Sequence, residues 1–285
     1  MKHISELLEL LHIEELDSCL FRGQSVNIGS PMVFGGQVLA QAAVAAMRTV
    51  PTDRMLHSFH SYFILPGDFN KPIIYTVDKI RDGGSFTTRR VKAMQNGRDI
   101  FLLSCSFQRK QSGFDHQIEM PDVPPPEELR SQAELRAELR QQYPDMPKVL
   151  GWERPIEFRP VEIIDPFRPE KRTPFRHIWL KSKGVMSDDQ NDHLAVLAYA
   201  SDYNLLWTAM MPHGEHAGLR DVFVASLDHA MWFHRSFRAD EWLLYVLDSP
   251  SASNGRGFCR GSFFNREGLL VASVTQEGLM RKRRK

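Results

Sequence analysis

The sequence predicts an α+β protein made of two consecutive repeats, each an antiparallel sheet wrapped around one long helix. Three observations on the 285-residue chain lead to this prediction: a proline-rich middle, the same order of elements on both sides of it, and matching intervals between polar residues. Eleven of the 17 prolines lie between Pro121 and Pro174, around the charged segment EELRSQAELRAELRQQ. That composition is typical of a connection with one solvent-facing helix, so residues 116–175 are predicted to link the repeats.

The first predicted repeat, residues 1–115, begins with MKHISELLELLHIEELDS, which alternates acids with leucines. This pattern indicates an amphipathic helix and lacks the uninterrupted apolar core of a signal peptide. The segment FGGQVLAQAAVAAMRTV, residues 34–50, then predicts a helix that is apolar on nearly all sides and must be covered on most of them. Strand-like segments follow up to residue 108, with a hairpin turn at Asn96-Gly97.

The second predicted repeat, residues 176–285, has the same order of elements. A helix predicted over residues 194–211 comes first, and the strand-like segments VFVASLDHAMWFHR, EWLLYVLDS, RGFCRGSFF and LLVASVTQEGL follow. Ser58 and Gln108 stand 50 residues apart, and Ser226 and Gln276 repeat that interval. One helix followed by an antiparallel meander, present twice, predicts a double hotdog fold.

The composition excludes several classes of protein. A hydrophobic fraction of 42%, with 25% charged residues and a net charge of +1, indicates a soluble globular chain that is not steered towards nucleic acid. The longest apolar stretch, residues 194–211, contains Asp202 and Asn204, which argues against a membrane span. The cysteines are far apart and form no CxxC pair, so we expect reduced thiols, a cytoplasmic location and no metal site.

The segment ASLDHAMWFHR, residues 225–235, brings a serine, an aspartate and a histidine within four positions. As one continuous strand it would place Ser226 and His229 on opposite faces, which excludes a local hydrolase triad. The sequence also lacks the G-x-S-x-G nucleophile elbow. Ser226 is then either a structural serine bonded to the backbone or part of a site built from several elements.

Asp202 is the one charged residue between Leu194 and Met211, on a helix that the sheet must cover. An ionised carboxylate there is costly unless it is hydrogen-bonded or hydrated. A structural network would meet this need, and so would a general base whose pKa is raised by burial. Gln276 leaves an apolar strand face, either as a solvent contact at a strand end or as a partner of Asp202 and Ser226.

Sequence blocks in both halves of the chain resemble the acyl-CoA thioesterase II family of double-hotdog enzymes. The blocks are LFRGQS (residues 20–25), FGGQVLAQA (34–42), HSFHSYFILPGD (57–68), ASDYN (200–204), LDHAMWFHR (227–235), SASNGRGFCRG (251–261) and VTQEGLMR (274–281). The resemblance implies hydrolysis of acyl-CoA thioesters, with medium- to long-chain acyl groups expected, to free acid and CoA. It implies no metal, no cofactor and no covalent acyl-enzyme, and it implies a homo-oligomer, either a dimer or a tetramer.

The family pattern of a catalytic Asp, Thr and Gln falls on Asp202, Ser226 and Gln276. The resemblance therefore implies that the aspartate activates water while the other two residues hold it. Ser226 departs from the usual threonine, and the missing methyl group frees its rotamer. The first repeat has Phe34 at the place that matches the aspartate, so one site per chain is expected, with oxyanion donors near Gly35-Gly36.

Two alternative functions remain open from the sequence. One is a hotdog enoyl-CoA hydratase, which usually pairs an aspartate with a histidine, although no histidine shares an obvious local face with Asp202. The other is a non-catalytic acyl-CoA-binding protein, which would keep the pocket but would need no buried carboxylate.

Overall fold

Two helix-and-sheet units follow one another along the chain and share one sheet, to which 13 strands of the described residues belong. The computed structural model describes residues 1–146, 153–218 and 221–283, without the side chains of residues 215–217. Part of the predicted linker, residues 147–152, and the last two residues of the basic C-terminus lie outside the described residues.

The first unit begins with an amphipathic helix that buries Ile4, Leu7, Leu10 and Leu11 and continues with a second helix followed by a meander. Its elements are α1 (Ile4–Leu11), β1 (Glu14–Asp17), β2 (Leu20–Gly23), α2 (Gly35–Met47), β3 (Met55–Phe63), β4 (Ile73–Asp82), β5 (Phe86–Gln95) and β6 (Arg98–Gln108). The hairpin turn between β5 and β6 has positive φ at both Asn96 and Gly97, as a tight turn of this sequence requires.

The connection contains a short 3-10 turn at Pro126–Glu128 and the charged helix α3 (Gln132–Gln142), which Ser131 caps. The second unit consists of β7 (Ile156–Pro160), β8 (Phe175–Ser182), α4 (Gln190–Ser201), α5 (Leu205–Met210), β9 (Val222–Ser226), β10 (Asp228–Phe233), β11 (Leu243–Ser253), β12 (Arg256–Phe264) and β13 (Leu270–Lys282). Strand β7 lies within the range predicted as linker and pairs with β8. The division of the chain at residues 115 and 175 stays a prediction.

The described strands pair antiparallel, in the order β1-β2-β4-β5-β6-β3-β10-β13-β12-β11-β8-β7, with β9 beside β13. The two units meet where β3 pairs with β10, with Phe59 opposite Met231. The buried side chains of both half-sheets form one core with those of α2 and α4. The predicted α+β double hotdog fold is confirmed.

Small residues allow the two central helices to approach closely. The alanines of α2 are fully buried. A Cβ atom at Gly36 would lie only 2.5 Å from the backbone oxygen of Tyr199 in α4. The close contact brings the start of α2 to the C-terminal end of α4.

The helix predicted over residues 194–211 is in fact two helices. α4 ends at Ser201, Asp202 caps it, and Asn204 adopts a left-handed conformation with φ of 70° before α5 begins. Asparagine tolerates this conformation better than most residues. The prediction of a single helix was wrong because the apolar pattern continues through the break. The break places Asp202 at a helix end.

The strand predicted through VFVASLDHAMWF is also interrupted. Against β13, Ser226 of β9 faces Gly278, whereas Ala230 of β10 faces Thr275, so the register shifts by one residue between the two strands. A shift of one residue reverses the alternation of side chains. Ser226 and His229 therefore point to the same side of the sheet, towards the helices, and the prediction of opposite faces was wrong.

Replacing Gly36 with alanine is expected to lower the free energy of unfolding by about 1–3 kcal/mol. The added Cβ would overlap the Tyr199 backbone oxygen, which cannot move without shifting α4. Urea unfolding measures the change. Gly84→Ala is the matched control, because a Cβ atom there meets nothing within 4 Å. Equal stability of the two variants would contradict the tight helix contact.

Candidate active site

Asp202 lies at the junction of the two central helices, as the C-cap residue of α4. The backbone N–H of Gly36, in the first turn of α2, donates to Asp202 Oδ2 at 2.8 Å. The absence of a side chain at Gly35 makes room for the same oxygen, since a Cβ there would lie 2.8 Å from it. The carboxylate thus joins the two repeats and occupies the positive end of the α2 dipole.

Gln276 of β13 binds the other oxygen of this carboxylate. Its Nε2 donates to Asp202 Oδ1 at 2.9 Å and to Ser226 Oγ at 2.7 Å, so both amide hydrogens are used. The amide must have this orientation because a carboxylate can only accept hydrogen bonds. Gln276 is fully buried inside a long strand, which rules out the alternative of a solvent contact at a strand end.

Ser226 completes the cluster from the end of β9. Because its Oγ accepts from Gln276, its own hydrogen can be donated to a third group. The hydroxyl lies close enough to Asp202 to lower the pKa of that carboxyl. The three residues proposed from the sequence are therefore brought together by three separate elements.

The histidine and aspartate that follow Ser226 in the sequence have partners of their own. His229 Nε2 lies 2.9 Å from the Oγ of Ser201 in α4, and Asp228 Oδ1 accepts from the backbone N–H of Glu277 at 2.7 Å. Burial lowers the pKa of His229 to about 3, so its ring is neutral near physiological pH. These partners exclude a local triad, although for a different reason from the strand alternation expected from the sequence.

Burial is the largest influence on Asp202 and raises the pKa of its carboxyl above the ordinary range. The hydrogen bonds from Gln276 and Gly36 and the nearby hydroxyl of Ser226 oppose this rise, because each stabilises the charged form. The result is a carboxylate that is more basic than an exposed aspartate but still held by fixed donors. Such a group suits proton abstraction from water.

The first repeat contributes a backbone donor and a different set of side chains. Ser58 is buried in β3, whereas Gln108, at the end of β6, donates its amide to Gln111 near the surface. Phe34 occupies the place that matches Asp202. The sequence pointed to the glycine pair at the start of α2 as an oxyanion site, but not to the bond between Gly36 and the carboxylate, which joins residues 166 positions apart.

The described residues contain neither a metal-binding group nor a membrane-spanning helix. Among them, no group of three or more His, Cys, Asp or Glu side chains could hold a metal ion. Of the helices in the same part of the chain, none is long and apolar enough to cross a membrane.

The fold and the site together define a double-hotdog protein with a carboxylate, amide and hydroxyl cluster at the junction of its repeats. A family model described as acyl-CoA thioesterase matches residues 148–279, and one described as acyl-CoA thioesterase N-terminal domain matches residues 23–108. Both halves of the chain are thus recognised separately.

Relatives of this chain match it over nearly its whole length. Acyl-CoA thioesterase 2 of Haemophilus influenzae is 39% identical over 279 residues, which cover 98% of this chain and 98% of that protein. Human acyl-coenzyme A thioesterase 8 is 40% identical over 281 residues, covering 95% of this chain and 88% of that protein. The crystal structure of acyl-CoA thioesterase II TesB2 from Mycobacterium marinum is 40% identical, with a TM-score of 0.80 and coverage of 96% of this chain and 98% of that one. The chain belongs to the acyl-CoA thioesterase II family and is an enzyme, a thioester hydrolase.

The Gln276 amide is expected to hold down the pKa of Asp202. In Gln276→Leu the donor is lost, so the charged form is less stabilised and the pKa should rise further above that of an exposed aspartate. A carbon-13 NMR titration of the Asp202 carboxyl measures this pKa. Gln108→Leu, the corresponding change in the first repeat, is the control and should leave it unchanged. An Asp202 pKa that stays constant or falls in Gln276→Leu would refute the role of the amide.

Proposed function

We propose that this enzyme hydrolyses acyl-CoA thioesters with water that Asp202 activates and that Ser226 and Gln276 orient. The observation that carries the proposal is the convergence of a desolvated carboxylate, an amide and a hydroxyl at the start of α2. Membership of a thioesterase family supplies the substrate class. A hydratase of the kind considered above would need a histidine beside the carboxylate, whereas the buried His229 is bonded to Ser201.

Asp202 is the general base of the proposed reaction. It takes a proton from water while the water oxygen forms a bond to the thioester carbonyl carbon, which gives a tetrahedral oxyanion. The C–S bond then breaks, the carbonyl group forms again, and the proton on Asp202 passes to the departing sulfur. The products are a carboxylic acid and CoA with a free thiol. No acyl group becomes attached to the protein.

Ser226 and Gln276 hold the reacting groups in one arrangement. Gln276 binds Asp202 and Ser226 at the same time, so both are fixed before the substrate arrives. The serine hydrogen is then directed away from the amide and can be donated to the attacking water or to the thioester. This preorganisation reduces the reorientation that the transition state requires.

The start of α2 is the proposed source of the oxyanion donor. The N–H of Gly36 is bonded to Asp202, whereas the N–H of Gly35, the first residue of the helix, has no acceptor within its own helix. The helix dipole favours negative charge at the same place. The expected donor is therefore Gly35, with Gly36 reserved for the base.

We also infer a cytoplasmic location, a homo-oligomer and a preference for medium- to long-chain acyl groups. The cysteines support the first inference, because Cys19, Cys105 and Cys259 are all free thiols, as is usual in a reducing compartment. The family resemblance supports the dimer or tetramer and the chain length. Light scattering tests the oligomeric state, and a series of acyl-CoA substrates of increasing chain length tests the preference for the acyl group.

Asp202→Asn should lower kcat by roughly 10²- to 10⁴-fold while the fold is kept. The asparagine Oδ1 can accept from Gly36, and the Gln276 amide can turn so that its oxygen accepts from the new amide. Release of CoA thiol from short to long acyl-CoAs measures turnover, and urea unfolding checks the fold. Asp248→Asn, which removes a surface carboxylate paired with Arg260, is the control. Full activity in folded Asp202→Asn would overturn the role of general base.

Ser226→Ala and Ser226→Thr separate the hydroxyl from the size of the side chain. Loss of the hydroxyl should reduce kcat by roughly 10- to 100-fold, the usual effect of one hydrogen bond to a charged or reacting group. Ser226→Thr keeps the hydroxyl and restricts its rotamer, so it should retain at least wild-type turnover. Steady-state kinetics on one acyl-CoA checks both variants. A similar loss in the two would indicate that packing and not the hydroxyl matters.

A further inference from the structure

A cavity of about 380 Å³ lies between the connecting segment and the second repeat. Its walls are α3, the stretch between β7 and β8, and the first turns of α5. The lining includes Tyr203 and Asn204, the two residues that directly follow Asp202 in the chain. The reaction steps proposed above do not use this cavity.

The carboxylates that line this cavity already have partners. The pairs are Glu138 with Arg130 at 2.7 Å, Glu162 with His177 at 2.7 Å, Glu170 with Arg172 at 3.3 Å and Asp165 with the Tyr143 hydroxyl at 2.7 Å. Two of the five arginines that line the cavity, Arg130 and Arg172, are thus already in ion pairs.

The other three arginines of the lining, Arg136, Arg154 and Arg176, form no ion pair with any carboxylate in the described part of the chain. The described lining therefore has five arginines against four carboxylates, and Arg136, Arg154 and Arg176 are the arginines left without a direct carboxylate contact.

Arg176 is the most buried of the three cations. Its side chain comes from β8, the residue is 7% exposed, and its Nε is buried without a hydrogen-bond acceptor among the described residues. Burial lowers the pKa of Arg176 to about 10 and that of Arg136 to about 9, with a smaller lowering of the latter by Arg154. Both groups stay charged at neutral pH. A buried cation without an acceptor is unfavourable, and a bound anion would remove that cost.

Tyr203 connects the cavity with the helix junction. The guanidinium of Arg154 lies 4.3 Å from the centre of the Tyr203 ring, and the ring of Phe34 stacks on it at 4.4 Å. Two groups so close to one ring centre must occupy opposite faces. Because Phe34 directly precedes the start of α2, the stacked rings of Tyr203 and Phe34 lie between Arg154 and the helix start that binds Asp202.

We propose that this cavity is a subsite for a phosphate-bearing ligand, bound by Arg136, Arg154 and Arg176. A guanidinium group matches a phosphate with two parallel hydrogen bonds, and three arginines outside any ion pair of the described residues can donate to the several oxygens of such a ligand. The aromatic and apolar part of the lining, which includes Leu135 and Trp207, suits the organic body of such a ligand. Two sources share this chemistry: the phosphorylated nucleotide end of the CoA substrate, which rests on the proposed function, and a separate phosphorylated nucleotide.

Calorimetric titration with adenosine 3′,5′-bisphosphate tests the site in the full-length protein. This probe carries phosphates like those of CoA but no thioester arm. The wild type should bind it, and Arg136→Gln and Arg154→Gln should each weaken binding roughly 10- to 100-fold by removing charge-assisted hydrogen bonds. Arg176→Gln should have the largest effect, and urea unfolding checks its fold. Arg136 and Arg154 are partly exposed, so their glutamine variants are expected to fold. They therefore still test the site if Arg176→Gln does not fold.

Arg130→Gln is the matched control, because this arginine lines the same cavity but is already paired with Glu138. It should bind the probe as the wild type does. An absence of binding to the wild type, or equal binding by the wild type and the Arg136, Arg154 and Arg176 variants, would overturn the proposal.

Steady-state kinetics separates the two sources of phosphate. If the cavity holds the nucleotide end of CoA, the variants raise KM for acyl-CoA, but not for the corresponding acyl-pantetheine, which lacks the phosphates. If both KM values stay constant while probe binding is lost, the cavity binds a separate phosphorylated nucleotide. Calorimetry requires no turnover, so the binding result with the bisphosphate probe is independent of Asp202→Asn, which tests the reaction itself.

Discussion

The hydrogen bond between the Asp202 carboxylate and the N–H of Gly36 is the contact on which the site depends, because it joins the end of one repeat's helix to the start of the other's. To reach it, α4 has to stop after Ser201, and the left-handed Asn204 lets the chain turn there. The start of α2 also has to lack side chains, since a Cβ at Gly35 or Gly36 would meet the carboxylate or α4. Several local features with no common sequence pattern thus serve one interaction.

The electrostatics of this contact set the strength of the proposed base. A carboxylate at the C-terminus of its own helix is in an unfavourable position, whereas the N-terminus of a second helix is favourable for it. Burial and the fixed donors then act on the pKa in opposite directions. The amide N–H groups of Gln276 fix both Asp202 and Ser226. The amide oxygen Oε1 of Gln276 is then buried without a hydrogen-bond partner among the described residues. A penalty of about 1–3 kcal/mol for such an atom is one that functional sites tolerate.

The sequence was sufficient for the fold, because the fold rests on patterns that act at short range, whereas Asp202, Ser226 and Gln276 were grouped through the family resemblance. Apolar helices that need cover, meanders with Asn-Gly turns and a lone carboxylate in an apolar helix are all visible in the residues themselves. It was not sufficient for the break at Asn204 or the register shift after Ser226, since neither interrupts the hydrophobic pattern. The bond from Gly36 and the grouping of Arg136, Arg154 and Arg176 depend on tertiary contacts between distant segments, which composition and spacing do not encode.

The pairing of β3 with β10 carries a further consequence for how this architecture can change over time. A single repeat would leave its β3 edge with unpaired backbone groups, and a second identical copy would be the simplest way to cover it. In a symmetric pair of that kind, every substitution appears twice. Fusion of the copies into one chain removes this restriction. One half can then keep the carboxylate, while the other half keeps the two glycines at the start of its helix. The two halves can thus specialise for complementary parts of the same site.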